Sequence, residues 1–363
     1  MSAADPHGSS IWHVDRTARV RELVSGDPGM ERALVLVREN GRNCGAVAIE
    51  GTAAPESDPA VAAGPSAPRR GWREGAGATV PATVVICTTG RSDLLAASVK
   101  AVLAQDHRDY RVVVVDNAPT TGLARTALKG IDDERLTVVN ASRPGLSRAR
   151  NRGVLAATGE VVAFTDDDAI VDPHWLTALV DPFTASALVG ATTGIVLPLE
   201  LAHAPQRWFE SRGGFPKDFT PRVWAKGRIP DGVRGLGEAG EGGPLYPVAT
   251  ARVGAGVCMA LRRDVLMEVG PFDPSLGAGT PTRGGEDLDM FARVLAHGDV
   301  IVHTPDALVH HRHRVDHEGL DAQVRGNGSG MSALLTKAVL ARPSTALTLA
   351  SRAPAVAARL RPG

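Results

Sequence analysis

The stretch Val161-Val162-Ala163-Phe164-Thr165-Asp166-Asp167-Asp168 decides the reading of this chain. A run of strand-forming residues ends in three adjacent carboxylates. Like charges side by side disfavour ionisation, and a cation between them relieves the repulsion. Alternate residues of an extended segment point the same way, so Asp166 and Asp168 converge on one ion. Hard divalent cations take carboxylate and phosphate oxygens, which points to chemistry on a diphosphate. These residues alone leave a second reading open: a solvated acidic turn ahead of a helix that begins near Asp172.

Working outward, the same pattern repeats. Thr83-Val84-Val85-Ile86-Cys87, Val112-Val113-Val114-Val115 and Leu136-Thr137-Val138-Val139 are short apolar runs of buried-strand character. Helical patterns over 93–105, 123–129 and 146–157 separate them. Alternation of this kind predicts an α/β fold with a mostly parallel central sheet and helices on both faces. Ligands of such sheets bind beyond the carboxyl ends of the strands. The polar residues stand there: Thr88-Thr89-Gly90-Arg91, Asp116-Asn117 and the three acids.

The flanks differ in texture. Residues 1–80 form a separate N-terminal module. In it, two apolar runs flank Asn40-Gly41, a hairpin signal, and an Ala/Pro/Gly-rich linker, expected to be flexible or exposed, runs from about Gly51 to Val80. Residues 81–330 form the main domain, divided into 81–190 and 191–330. The second half has loops over 200–250, an ordered block at 253–261, a helix at 286–296 and a strand at 300–302. Residues 331–363 read as a helical tail broken at Pro343. Gly326-Asn327-Gly328 reads as a turn or a lid.

Composition excludes several classes. The chain has 363 residues, and its 40 Lys plus Arg balance 40 Asp plus Glu; aromatics are 4%. Basic runs interleaved with aromatics are absent, so no nucleic acid partner is expected. Cys44, Cys87 and Cys258 are too scattered for a disulfide framework or a zinc site. The polar N-terminus lacks a signal core, and no apolar run is long enough to span a bilayer. A cytoplasmic location follows as the expectation, with the basic tail (Lys337, Arg342, Arg352, Arg359, Arg361) making peripheral contact with the inner face of a membrane or packing on the domain.

Five motifs in order carry a resemblance: Cys87-Thr88-Thr89-Gly90-Arg91; Val115-Asp116-Asn117; the run Gly145–Gly153, containing Arg148, Arg150, Asn151 and Arg152; Asp166-Asp167-Asp168; and Gly285-Glu286-Asp287-Leu288-Asp289. Gly270-Pro271-Phe272-Asp273 precedes the last. Over about residues 83–314 the chain resembles the family 2 glycosyltransferases, nucleotide-diphospho-sugar transferases of the GT-A, Rossmann-like fold. The resemblance implies an inverting, metal-dependent transfer from a nucleotide-diphosphate sugar, a UDP-sugar first, to a hydroxyl of a glycan, lipid-linked intermediate, protein or metabolite.

The resemblance also implies roles. Thr88, Gly90, Arg91, Asp116, Gly145, Arg148, Asn151, Asp166 and Asp167 are expected to bind the nucleotide sugar. Asp168 and Asp166, with His311 or His313 of His310-His311-Arg312-His313-Arg314, are expected to hold Mg²⁺ or Mn²⁺, and Arg312 or Arg314 the diphosphate. Asp287 is the expected general base, supported by Glu286. Arg150 and Arg152 read as a solvated basic helix face. Trp208, Phe209, Phe215 and Trp224 read as an acceptor platform or as satellite-core anchors. The alternatives are a catalytically degenerate nucleotide-sugar- or glycan-binding protein on the same fold and, with too few glycines after the first strand, a nucleotidyltransferase.

Overall fold

The computed structural model describes residues 8–50 and 54–359. Arg361, Gly51 at the start of the linker and residues 1–7 of the polar N-terminus lie outside the described residues.

The N-terminal module is larger than a hairpin. Strands β1 (Ser10–Asp15), β2 (Val20–Ser25), β3 (Arg32–Glu39) and β4 (Arg42–Glu50) form a sheet in the order β2-β1-β3-β4. The expected hairpin is β3-β4, and Asn40 and Gly41 take φ of 53° and 76° at its turn. Strand β1 runs parallel to β3, a pairing between non-neighbouring strands that no local signal announces.

The main sheet is built from β5 (Ala82–Thr88), β6 (Tyr110–Asp116), β7 (Leu136–Asn140), β8 (Val161–Asp166), β9 (Ala169–Val171), β10 (Val189–Pro198), β11 (Arg222–Trp224), β12 (Glu238–Ala239), β13 (Met259–Arg262) and β14 (Val300–His311). Its order is β12-β11-β14-β10-β13-β8-β5-β6-β7, with β9 beside β14. The run β8-β5-β6-β7 is wholly parallel, as expected. Beyond β8 the sheet is mixed, because β13 runs antiparallel to both β8 and β10. Alternate strand residues feed two cores. Val84, Ile86, Val112 and Val114 meet the helices Leu95–Leu103 and Trp175–Ala185 on one face. Val85, Val113, Val115 and Phe164 meet Leu146–Ala156 and Glu286–His297 on the other.

Two expectations are corrected here. The linker is not a free tether: Trp72 is buried in the main core. The buried Asp181 carboxylate accepts the N–H groups of Gly75 and Gly77, each at 2.8 Å. Gly71 lies so close to Gly235 that a Cβ would stand 1.8 Å from its carbonyl oxygen. Gly326-Asn327-Gly328 is neither turn nor lid but part of the helix His317–Ala341. The ordered block expected at 253–261 is buried throughout and runs into β13. The break at Pro343 is borne out, since a second helix, Ser344–Arg359, starts one residue later.

The module docks against β14. Leu36 joins Ile195, Leu197 and Leu308 in one apolar cluster. Asn43 Nδ2 donates to the carbonyl of Pro305 at 2.8 Å, and His13 Nε2 lies 2.9 Å from His310 Nε2. Burial, then the charge of Arg38 and the nearness of His310, push His13 down to about 2, so this pair is neutral.

Candidate active site

A cleft of about 430 Å³ opens beyond the carboxyl ends of β5, β6 and β8. Its walls include Thr88, Thr89, Arg91, Asn117, Gly145 and the three acids, closed by Ala278, Gly279, His311 and Arg314. Expected site residues as far apart as Thr88 and Arg314, 226 positions, therefore meet in one place.

Asp166, Asp168 and His311 each offer a ligand atom, all within 4.8 Å of one another. The strand β8 ends at Asp166, and the turn at Asp167 and Asp168 leading into β9 brings the second carboxylate round to the first; His311 reaches them because β9 pairs β14 across Ala169 and His311. His311 Nε2 lies 3.2 Å from Asp168 Oδ1, and its buried Nδ1 has no partner. Two carboxylates and an imidazole suit Mg²⁺ or Mn²⁺. Burial opposes charge on His311, yet Asp168 outweighs it and holds the imidazole above its ordinary range. Burial likewise works to raise Asp168, but His311 and Arg314 win and hold it low. Burial raises Asp166 despite the pull of Arg150.

His313 is corrected out of this group. Its Nε2 is 2.7 Å from Glu210 Oε1, and its ring packs on Phe209 and Phe215. Extended geometry placed both histidines on one side, but β14 ends at His311, and alternation ends with it. Phe209 and Trp224 are buried core anchors, Phe215 packs its edge on His311, and Trp208 stays 45% exposed beneath Arg212. Of the two late arginines, Arg314 lines the cleft, 3.8 Å from Asp168, whereas Arg312 turns to Asp93 and Glu200.

The nucleotide-side residues divide. Arg91 and Gly145 line the cleft; Gly145 takes φ of 123° and its N–H donates to Asn117 Oδ1 at 3.0 Å. Thr88 donates its hydroxyl to Asp167 and accepts the N–H of Gly90 at 2.8 Å, so Thr88 and Asp167 fix each other in the wall. Burial pushes Asp167 up to about 6, with Thr88 pulling against it and its two acidic neighbours adding to it. Gly90 does not line the cleft. It serves the turn, with φ of 75°, and a Cβ there would stand 2.3 Å from the nitrogen of Ala124. Asp116 lies in the wall of a neighbouring groove with Arg125 and Lys129, while Asn117 faces the cleft.

Two assignments on the helix Leu146–Ala156 change. Asn151 does not reach the cleft, because its amide is spent on the backbone of Phe272. Arg148 is exposed and outside the cleft wall. Arg150, read as solvated, is buried, and its Nη1 donates to Glu286 Oε1 at 2.9 Å. The phase of the helix carries a signal for this: Ser147, Ala149, Arg150 and Gly153 form its buried side. Arg152 is exposed, as expected.

Glu286 and Asp287 open the helix Glu286–His297 behind Gly285, whose φ is 92°. Asp287 is half-buried. Its Oδ1 accepts the N–H of Leu288 and its Oδ2 that of Gly256, each at 2.8 Å. Burial, then Asp287, pushes Glu286 up to about 7 against the pull of Arg150. The loop ahead is backed by the helix His317–Ala341. A Cβ on Gly330 would stand 2.5 Å from the carbonyl carbon of Gly284, and Ser329 donates to the carbonyl of Thr282 at 2.5 Å. Lys337 Nζ bridges Asp273 at 2.7 Å and Asp289 at 2.8 Å.

The parallel strands of the sheet thus end in a carboxylate–imidazole group, and Arg150 joins it to a second acidic pair, Glu286 and Asp287, which lies outside the cleft wall. A family model described as glycosyl transferase family 2 matches residues 83–233. The chain is 29% identical over 236 residues to a glucosyl-dolichyl phosphate glucuronosyltransferase of Haloferax volcanii, covering 63% of this chain and 68% of the relative. It is 30% identical over 241 residues to the succinoglycan biosynthesis protein ExoM of Rhizobium meliloti, covering 64% and 67%. Among solved structures, a mannosyltransferase from Pyrobaculum calidifontis with GDP-Man and Mn²⁺ aligns with a TM-score of 0.44 at 19% identity, over 78% of this chain and 84% of that one. The chain belongs to glycosyltransferase family 2.

Proposed function

We propose that this glycosyltransferase moves a sugar, with inversion, from a nucleotide-diphosphate donor, a UDP-sugar first, to a hydroxyl acceptor. The observation that supports this most is the convergence of Asp166, Asp168 and His311 at the mouth of the cleft that Arg91 and Gly145 line. Asp166, Asp168 and His311 would hold Mg²⁺ or Mn²⁺, which as a Lewis acid stabilises charge on a departing diphosphate. Arg91 and Arg314 add positive charge at the same wall. Asp287, fixed by two backbone N–H groups, accepts the proton of the attacking hydroxyl on a free lone pair. Attack opposite the diphosphate inverts the anomeric centre.

The acceptor reading extends to a lipid-linked glycan at a membrane surface. No described helix is long and apolar enough to cross a membrane. Residues 322–363 carry no Asp or Glu, and Arg325 and Arg342 are exposed bases in this region. Leu340 and Leu347 are 77% and 75% exposed in the same region. Such a surface favours anionic lipid.

The test is thermal stabilisation by a panel of nucleoside diphosphates with Mn²⁺, Mg²⁺ or EDTA, followed by donor hydrolysis without acceptor. Metal-dependent stabilisation by one nucleotide, and cleavage of its sugar conjugate to the inverted anomer, are expected. No shift with any nucleotide at millimolar concentration would overturn the reading. Co-sedimentation with anionic but not neutral vesicles tests the membrane surface.

A further inference from the structure

We propose that Arg150 is a positioning residue that sets the spacing between the cation-binding acids and the proton-accepting acid. The inference rests on the reaction proposed above. Arg150 is 2% exposed. Its Nη1 donates to Glu286 Oε1 at 2.9 Å, and its Nη2 lies 3.7 Å from Asp166 Oδ1. One planar cation therefore touches the last residue of β8 and the first residue of the helix that carries Asp287. The guanidinium is held over two rings, 5.9 Å from the centre of Phe164 and 5.6 Å from that of Phe272.

Gly256 completes the frame. A Cβ on it would stand 2.7 Å from Arg150 Nη2, so only glycine leaves the guanidinium its place. The N–H of the same glycine donates to Asp287 Oδ2 at 2.8 Å. The path Asp166–Arg150–Glu286 and the contact Gly256–Asp287 thus lock the two acidic halves at a fixed separation. An ammonium group cannot reproduce the two-sided reach of the guanidinium. A reacting geometry shifted by about 1 Å costs about 100-fold in rate.

Two variants of the full chain test this, Arg150→Lys and Gly256→Ala. The second leaves every charge and the backbone N–H to Asp287 in place and pushes the guanidinium. Affinity for Mn²⁺ with the active nucleoside diphosphate is measured by calorimetry, and kcat and KM by donor hydrolysis. Both variants are expected to bind within about threefold of wild type, with an unchanged KM and a kcat down by about 100-fold. Wild-type kcat in either variant would overturn the proposal. So would parallel loss of affinity and kcat, which would place Arg150 in donor binding instead. If Arg150→Lys fails to fold, Gly256→Ala decides. A wild-type protein that binds no nucleotide would sink the functional reading itself, a result distinct from either variant outcome.

Discussion

Asn151 clamps the backbone of Phe272 in both directions, its Nδ2 donating to the carbonyl and its Oδ1 accepting from the N–H, each at 2.8 Å. Phe272 is fully buried, so neither backbone group has water as a substitute. Asn151→Ala is expected to cost about 2 kcal/mol of stability by urea unfolding. Nucleotide affinity should stay within about threefold of wild type, since removing a clamp outside the cleft leaves the ligand's contacts intact. A large loss of affinity with unchanged stability would return Asn151 to the donor site.

Asp168→Ala removes one of three converging donor groups and leaves His311 without its carboxylate partner. The expected outcome is that Mn²⁺ no longer raises the melting temperature in the presence of the nucleotide, while the metal-free melt stays within a few degrees of wild type. Differential scanning fluorimetry with and without EDTA checks both halves of this expectation.

Asp287→Asn keeps the shape but loses the base. Its two oxygens each accept a backbone N–H, and an amide can satisfy only one of them. Turnover is expected to fall by about 100- to 10,000-fold, with donor affinity nearly unchanged by calorimetry. Full turnover with normal donor binding would remove Asp287 from the reaction.

Glu286 gives a pH signature. Its carboxyl is raised from 4.5 to about 7, chiefly by burial and then by Asp287. Between those values the folded protein retains a proton that the unfolded chain has released. Its contribution to stability is therefore fullest below about pH 4.5 and is lost as pH rises to about 7, by roughly 1–3 kcal/mol. Glu286→Gln should flatten this part of the profile. Urea unfolding of both proteins without metal, at about pH 5 and pH 7.5, measures the difference.

The strands β5 to β8 were legible because each is a short apolar run closed by polar residues, a pattern set within a few positions. The convergence of Asp166 and Asp168 was expected from strand alternation, but it arises from the turn that follows Asp166. What escaped depends on distant partners. Arg150 looks solvated until Glu286, 136 positions away, is brought against it. The linker looks free until Asp181 supplies acceptors for its glycines. His313 left the metal group because strand geometry stops two residues earlier. Gly326-Asn327-Gly328 continues a helix despite its composition because Gly326 and Gly330 face the loop at Arg283–Gly285, where larger residues would collide; packing overrides propensity there.

That contact has a consequence for how the protein is made. A nascent chain that has emerged as far as residue 316 holds every strand of the main sheet described, and with them the acids and the imidazole at its edge. It still lacks the helix whose Gly330 closes on Gly284 and whose Lys337 ties Asp273 to Asp289. The acids at the end of β8 and the imidazole of β14 are thus assembled before the helix that backs Gly284 exists.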